Sequence, residues 1–327
     1  MFASGADHGT PAALAAAAEI DGVFREIGFL LVAGHGIDPN VKGRMLDELR
    51  RFFALPVEEK ERIAIGRSPC HRGYVGIATE TLDDANTLAG DLKETIDSGI
   101  EHGPDHPEVL AGTPLHGPNQ LPADPAFRSA WREYFAQAIE AAERVQRGVA
   151  LALGLPPGFL LDLPGETMYH FRMIHYPPQL RLPLADGQLG CGAHTDYGSV
   201  TVLADDGIGG LQVRRRNGTW IDVDVPDDHL VVNLGDLMAI WTNDRYVSNP
   251  HRVINPPDAD RYSMPLFVTP PFHARIECLP TCLAPGERPR YEPMEAGPYL
   301  LSRFDNTHSY RNELLEEHNR DTTGAYR

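Results

Sequence analysis

Leu211-Gln212-Val213-Arg214-Arg215-Arg216-Asn217-Gly218-Thr219-Trp220-Ile221-Asp222-Val223 is the stretch that decides the architecture. Asn-Gly between two apolar runs is the strongest short-range hairpin signal a sequence offers. Ile221, Val223 and Val225 alternate with Asp222 and Asp224, so the second strand has one buried and one wet face. Arg214-Arg215-Arg216 reads as the solvated end of that hairpin. Outward from it, residues 230–234 and 264–268 are further short apolar runs. The whole span 169–268 has the short strands and regular turns of a sandwich or barrel.

Toward the N-terminus the periodicity changes. Thr10-Pro11 supplies a capping hydroxyl and a proline at the first helical position. Ile20, Val23, Phe24 and Ile27 then keep to one helical face, and Gly28 can end the helix. Residues 29–32 read as a short buried strand, and a second helix is predicted from about Pro39 to Phe53, with Met45, Leu46, Leu49 and Phe53 inward. Residues 66–124 are rich in Gly, Pro, Asp and His and have no clear period, which points to functional loops. Asp124-Pro125 opens a third helix that reaches about Leu153 and turns Trp131, Tyr134, Phe135, Val145 and Val149 inward. From about Arg311 the chain is a polar tail expected to fray or dock loosely.

Composition narrows the function classes. The 327 residues carry 29 Lys+Arg against 46 Asp+Glu, a formal net charge of −17. Nucleic acids and anionic membranes are therefore not expected partners, since both need a basic surface. No apolar run approaches a membrane span, and residues 1–10 lack the basic and apolar regions of a secretory signal. Cys70, Cys191, Cys278 and Cys282 form no CxxC pair, which suits a reducing cytoplasm.

His194-Thr195-Asp196 carries the chemistry. On a strand, residues two apart share a face, so both side chains can enter one cavity. His251, on a later segment, can add a third ligand. Two histidines and one carboxylate form the facial triad of non-haem Fe(II) oxygenases, which leaves positions free for cosubstrate and dioxygen. A hydrogen-bonded surface pair, or a catalytic zinc site, would use the same residue types. His106-Pro107-Glu108 is a second, isolated His-x-Glu with no partner motif. Beyond His251, Arg261-Tyr262-Ser263 puts a guanidinium and a hydroxyl on one strand face. That pair is a carboxylate receptor and points to a dicarboxylate cosubstrate beside the metal; the alternative is an ordinary salt bridge.

These residues belong to a recognisable pattern. Gly192-Ala193-His194-Thr195-Asp196-Tyr197-Gly198, Gly209-Gly210-Leu211-Gln212-Val213, Asn233-Leu234-Gly235-Asp236, Ser248-Asn249-Pro250-His251-Arg252-Val253 and Arg261-Tyr262-Ser263 resemble, in order, the core of the iron/2-oxoglutarate-dependent oxygenases. The subgroup is similar to the isopenicillin N synthase-like enzymes. The resemblance covers roughly residues 165–275, with a weaker match through residues 28–36 and Arg72-Gly73-Tyr74.

The resemblance implies a mainly β protein with flanking helices: a double-stranded β-helix core, cupin-like and of jelly-roll type, with a helical N-terminal region. It implies Fe(II) on His194, Asp196 and His251, with 2-oxoglutarate and O2 as cosubstrates. The distal 2-oxoglutarate carboxylate is expected on Arg261 and Ser263, helped by Tyr176, with Asn233 beside the metal. Arg172 resembles an arginine that reaches a substrate carboxylate in the ethylene-forming branch. Tyr197 is expected to face substrate, the alternative being a packed core tyrosine. Glu80, Thr81 and Asp83 lie in the region that covers the cavity in relatives; their carboxylates would meet a cationic or polyhydroxyl substrate, or else form a solvated acidic loop. His35, His116 and His175 are expected to be structural.

The intact Asp196 argues against halogenation. Relatives carry an Ile-Pro-x-Ile-Asp strand before the first helix, so here that strand is absent or the true start lies upstream. The expected divisions are 1–120 (helical N-terminal region), 121–164 (backing helix and linker), 165–275 (catalytic core) and 276–327 (C-terminal extension with polar tail). The expected activity is hydroxylation, desaturation or cyclisation of a small molecule in secondary metabolism such as antibiotic biosynthesis, by a cytoplasmic monomer or weak homo-oligomer. The alternatives are a relative that uses Fe(II) and O2 without 2-oxoglutarate, an ethylene-forming enzyme, and a non-enzymatic binding protein.

Overall fold

The computed structural model describes residues 2–82, 90–182 and 187–307. In chain order the elements are α1 (Pro11–Glu26), β1 (Phe29–Ala33), α2 (Pro39–Phe53), α3 (Val57–Lys60), β2 (Gly73–Val75), β3 (Glu94–Gly99), α4 (Pro107–Leu110), α5 (Pro125–Ala152), β4 (Met168–Tyr176), β5 (Cys191–His194), β6 (Val200–Asp205), β7 (Leu211–Arg214), β8 (Trp220–Asp222), β9 (His229–Leu234), α6 (Asp236–Trp241), β10 (His251–Val253), β11 (Arg261–Thr269), β12 (Arg275–Ile276), β13 (Met294–Glu295) and α7 (Ala296–Thr307). Short 3-10 turns link some of them.

The helix signals act locally as the sequence suggests. Thr10 accepts a hydrogen bond from the Ala13 amide, and Asp38 and Asp124 cap α2 and α5 in the same way, each followed by proline. Gly28 sits at φ +71°, and a Cβ there would meet the Val247 carbonyl oxygen at 2.1 Å. Only glycine allows β1 to start so close behind α1.

Two antiparallel sheets face each other. The larger runs β1-β9-β6-β11-β4-β3-β2 and the smaller β5-β10-β7-β8. Strand alternation sorts their side chains. On β11, Tyr262, Met264, Leu266 and Val268 pack outward into the main core with α2 and α5, while Arg261, Ser263, Pro265 and Phe267 line the space between the sheets. On β4, Tyr169, Phe171 and Met173 point outward, and Arg172, Ile174 and Tyr176 point inward. A second apolar cluster, including Phe29, Ile174, Tyr176, Leu211, Val213, Val231 and Val253, joins the two sheets. The result is the expected jelly-roll type of β-helix, backed by the 28-residue α5.

Strands β1, β2 and β3, from the stretch before residue 120, complete the larger sheet. Several expectations need correction here. Residues 66–124 contain β2 and β3, and all six β3 residues are buried, so no alternation showed. The region after 276 adds β13 and the helix α7, and the tail from 311 lies outside the described residues. Arg216 is exposed but not free: its guanidinium donates to the Arg25 and Glu26 carbonyls at the end of α1. Among the described residues, no helix is long and apolar enough to cross a membrane.

Candidate functional site

His194 ends β5 and His251 begins β10, and the two are register partners in the smaller sheet. Their rings lie 4.2 Å apart, centre to centre. Asp196 is not on a strand, contrary to the same-face argument. It follows β5 in a loop whose carbonyl accepts the Asp236 amide. Gly235 permits that approach, since a Cβ there would lie 2.9 Å from the Asp196 oxygen and 2.3 Å from that of Gly198. Asp196 Oδ1 stands 3.8 Å from His194 Nε2 and 3.6 Å from His251 Nε2.

The outer atoms are already committed. His194 Nδ1 lies 2.8 Å from the Gly192 carbonyl and His251 Nδ1 lies 3.3 Å from that of Asn249, which leaves both Nε2 lone pairs inward. Asp196 Oδ2 accepts from Thr201 Oγ1 and, at 2.6 Å, from Asn233 Nδ2, which leaves Oδ1 inward. Burial pushes Asp196 up, but the two imidazoles and these two hydrogen bonds outweigh it, and the carboxyl is held below its usual range. Burial, then the neighbouring His194, lowers His251 to about 4 against the pull of Asp196. Two imidazole nitrogens and one carboxylate oxygen therefore converge on a point, a donor set that suits Fe(II) and leaves coordination positions free.

Two cavities meet at this group. The first extends between the sheets from His194, Asp196 and His251 to Tyr176, Arg261 and Ser263, with apolar walls that include Phe29, Ile174, Leu211 and Val231. Arg261 is completely buried, with all three guanidinium nitrogens lacking a hydrogen-bond partner. It lies 4.9 Å from the Tyr176 ring centre, and its one ion pair among the described residues, to Asp205, is long at 3.5 Å. Ser263 Oγ makes no hydrogen bond of good geometry, although the Tyr176 hydroxyl interacts with it. Burial raises Tyr176 to about 12, so it stays a neutral donor. An orphaned buried guanidinium beside two hydroxyls calls for an anionic, bidentate acceptor.

The second cavity also borders His194 and Asp196. Glu80, His170, Arg172, Tyr197, Thr269, Phe267, Leu300 and Phe304 line it. Arg172, which touches both cavities, donates from Nε to Asp97 at 2.7 Å and from Nη1 to both Glu80 oxygens at 3.0 and 3.1 Å. Glu80 is also paired with Lys93 at 3.0 Å and is only 3% exposed, so the solvated-loop reading fails for it. Thr81 is not among the lining residues and gives its amide to the Thr307 carbonyl; Asp83 lies outside the described residues. Tyr197 lines the cavity while its ring stacks under Arg303 at 4.7 Å. Asn233 touches the first cavity but spends its amide on Asp196.

Sequence reasoning missed His170, Phe304 and the whole of α7. His170 Nε2 lies 2.5 Å from Asp97 Oδ1, a partner 73 residues away that no local motif announces. His175 is structural as expected, held between Glu94 and Asp260 at 2.8 Å each. His106 is not isolated: it stands with His102 and Glu166. Its Nδ1 accepts the Glu108 amide to cap α4, however, and His102 Nε2 is hydrogen-bonded to Glu166 at 2.6 Å, so both rings serve the loop.

Comparison with known proteins agrees with this geometry. Residues 168–270 match the 2OG-Fe(II) oxygenase superfamily, and residues 3–124 match the family described as non-haem dioxygenase in morphine synthesis N-terminal. The chain is 39% identical over 301 residues to the 2-oxoglutarate-Fe(II) type oxidoreductase hxnY of Emericella nidulans, covering 89% of this chain and 85% of that one. It is 32% identical over 289 residues to a homoarginine-6-hydroxylase of Oryza sativa, covering 87% of each. The crystal structure of a full-length Neurospora crassa protein in complex with alpha-KG and thymine superposes with a TM-score of 0.79 at 30% identity, covering 91% of this chain and 93% of that one.

Proposed function

Since this chain belongs to the 2-oxoglutarate/Fe(II) oxygenase superfamily, we propose that His194, Asp196 and His251 hold its iron and that the cavity ending at Arg261 holds its 2-oxoglutarate. The protein is an Fe(II)- and 2-oxoglutarate-dependent dioxygenase that acts on a small molecule. The observation that carries the cosubstrate assignment is the Arg261 guanidinium, buried without a hydrogen bond among the described residues in the cavity that the triad also lines. A five-carbon diacid with one chelating and one distal carboxylate has the shape and charge that this cavity leaves unsatisfied.

When bound, iron with 2-oxoglutarate and O2 supplies an oxidant for an unactivated C–H bond, with succinate and CO2 as coproducts. The chain supplies position. Asn233 and Thr201 hold Asp196 to one inward oxygen, and the Gly192 and Asn249 carbonyls hold each imidazole to one inward nitrogen. Arg261, Ser263 and Tyr176 fix the far end of the cosubstrate, so it approaches the triad in one direction. Phe267, Leu300 and Phe304 keep bulk water from the second cavity, which we read as the substrate site. Hydroxylation within secondary metabolism is the activity we favour.

The test is anaerobic addition of Fe(II) and then 2-oxoglutarate to purified protein, watching for the weak visible charge-transfer band of the chelate. The band is expected in wild type and absent in His251→Ala. Tight iron binding with no band at any 2-oxoglutarate concentration would remove the cosubstrate from this reading.

A further inference from the structure

His170 and Arg172 stand two residues apart on β4 and both line the second cavity. Their hydrogen bonds fix what each can still offer. Asp97 is buried, and although burial opposes it, Arg172 and His170 hold it ionised. It accepts Arg172 Nε at 2.7 Å, Thr95 Oγ1 at 2.8 Å and His170 Nε2 at 2.5 Å. An ionised carboxylate can only accept, so the His170 proton sits on Nε2. Burial keeps the ring neutral against the pull of Asp97, and Nδ1 is left as a lone pair. Arg172 spends Nε on Asp97 and Nη1 on Glu80, which leaves the Nη2 protons. Two neighbouring inward residues of β4 thus offer one acceptor and one donor that make no hydrogen bond among the described residues.

Each charge on the wall already has a partner of opposite sign. Glu80 is matched by Arg172 and Lys93, Arg172 by Glu80 and Asp97, and Lys93 by Glu80 and Asp91. A cationic substrate would find Glu80 already paired, and an anionic one would find Arg172 already paired. Around this wall stand Phe267, Phe304 and Tyr197, surfaces that favour a flat ring.

We propose that the substrate is an uncharged, planar nitrogen heterocycle whose lactam edge, an N–H beside a C=O, pairs with His170 Nδ1 and Arg172 Nη2. The N–H donates to the imidazole and the carbonyl accepts from the guanidinium. This inference rests on the reading of the second cavity as the site of oxidation. With Glu80 already paired to Arg172 and Lys93, the proposal places no guanidinium or ammonium group at this wall, unlike the substrate named for the rice homoarginine hydroxylase.

The test uses the intact protein with Fe(II) and 2-oxoglutarate under anaerobic conditions. Binding of 2-pyridone, uracil, thymine and two-ring lactams is measured by saturation-transfer NMR and by their perturbation of the charge-transfer band. Each is set against its N-methyl derivative, and the panel against benzoate and homoarginine. Arg172 variants would strand two buried carboxylates, so the protein-side probe is His170→Leu, with His170→Gln to restore an acceptor. N-methylation and His170→Leu are each expected to weaken lactam binding by about 10- to 100-fold, with partial recovery in His170→Gln. Tighter binding of benzoate or homoarginine than of every lactam, no lactam binding, or equal lactam affinity in His170→Leu would overturn the proposal. Failure of the band itself would instead strike the cosubstrate reading, so the two failures are distinguishable.

Discussion

Replacing Arg261 with methionine isolates what its guanidinium does, because the unbranched side chain fills the stem's space without a charge. In wild type the side chain is wholly buried and none of its nitrogens is hydrogen-bonded. Its desolvation cost is already present before ligand arrives, so a carboxylate that reaches it recovers the full interaction. Two charge-assisted hydrogen bonds at about 1.5–3 kcal/mol each give about 3–6 kcal/mol, or roughly 100- to 10,000-fold in 2-oxoglutarate affinity. The change also loosens the 3.5 Å pair with Asp205, which shifts stability with or without ligand. The informative quantity is therefore a preference and not an absolute affinity. Anaerobic titration of the Fe(II) protein with 2-oxoglutarate and with 2-oxopentanoate, in which a methyl replaces the distal carboxylate, gives that preference directly. Wild type is expected to favour 2-oxoglutarate by the factor above, and Arg261→Met by less than about tenfold. In parallel, 2-oxoglutarate at about 100 times its Kd adds about 2.7 kcal/mol to wild-type stability, a rise of several degrees in Tm that the variant should lack. If Arg261→Met kept the wild-type preference between the two acids, the distal carboxylate would bind elsewhere and the reasoning would be refuted.

Asn233→Ala removes the 2.6 Å hydrogen bond that holds Asp196 Oδ2; Fe(II) affinity, measured by anaerobic competition with a chromophoric chelator, is expected to drop about 10- to 100-fold, and an unchanged affinity would sink that role. Burial lowers His251 from 6.5 to about 4 and lowers His170 as well, so the unfolded chain binds more protons than the fold in that window. The metal-free protein should therefore lose stability as pH falls from about 6.5 toward 4, on the order of 2–3 kcal/mol from His251 alone. Denaturant melts at pH 7, 5.5 and 4.5 should show a shallower slope in His251→Phe, and equal slopes would contradict the sign. Phe304→Ala deletes a ring stacked 4.2 Å from His71 and exposed to the substrate cavity. Hydrogen exchange across α7 should rise and succinate release should run ahead of product, whereas tight coupling with normal exchange would show that α7 does not seal the cavity.

The sequence was legible where signals are local. Thr10, Asp38 and Asp124 cap their helices through neighbours two or three residues away, and Asn217-Gly218 closes the β7–β8 hairpin within a handful of residues. His194, Arg261 and Ser263 were readable because strand geometry fixes their faces, although the loop position of Asp196 depends on the distant Asp236 amide. The illegible parts are those whose partners are remote. β3 has no wet face, since Glu94 and Asp97 are buried by Lys60, His175, His170 and Arg172 from other elements. Glu80 reads as a surface acid until Arg172, 92 residues away, is seen beside it. Gly297-Pro298 reads as a helix breaker, yet it falls in the first turn of α7, where proline is tolerated.

One strand orders the reaction. β4 carries Tyr176, Ile174, Arg172 and His170 on its inward face, spaced two residues apart. At about 3.3 Å per residue this row spans roughly 20 Å, longer than a small substrate. Its Tyr176 end borders Arg261 and the first cavity, its His170 end borders Phe304 and the second, and Arg172 in the middle touches both. His194 and His251 face this row from the opposite sheet, with Asp196 in the loop after β5. On the proposed assignment, two-residue periodicity suffices to give each ligand its own end of one strand. It also gives a reason for pairing Arg172 with both Glu80 and Asp97. On the proposed assignment, an unpaired Arg172 at the midpoint of β4 would attract the carboxylates of 2-oxoglutarate into the second cavity, whereas Arg172 paired on both sides leaves Arg261 as the one cation on the inward wall of the first cavity with no hydrogen bond among the described residues. Compensation in the middle is what makes the anionic ligand choose its end.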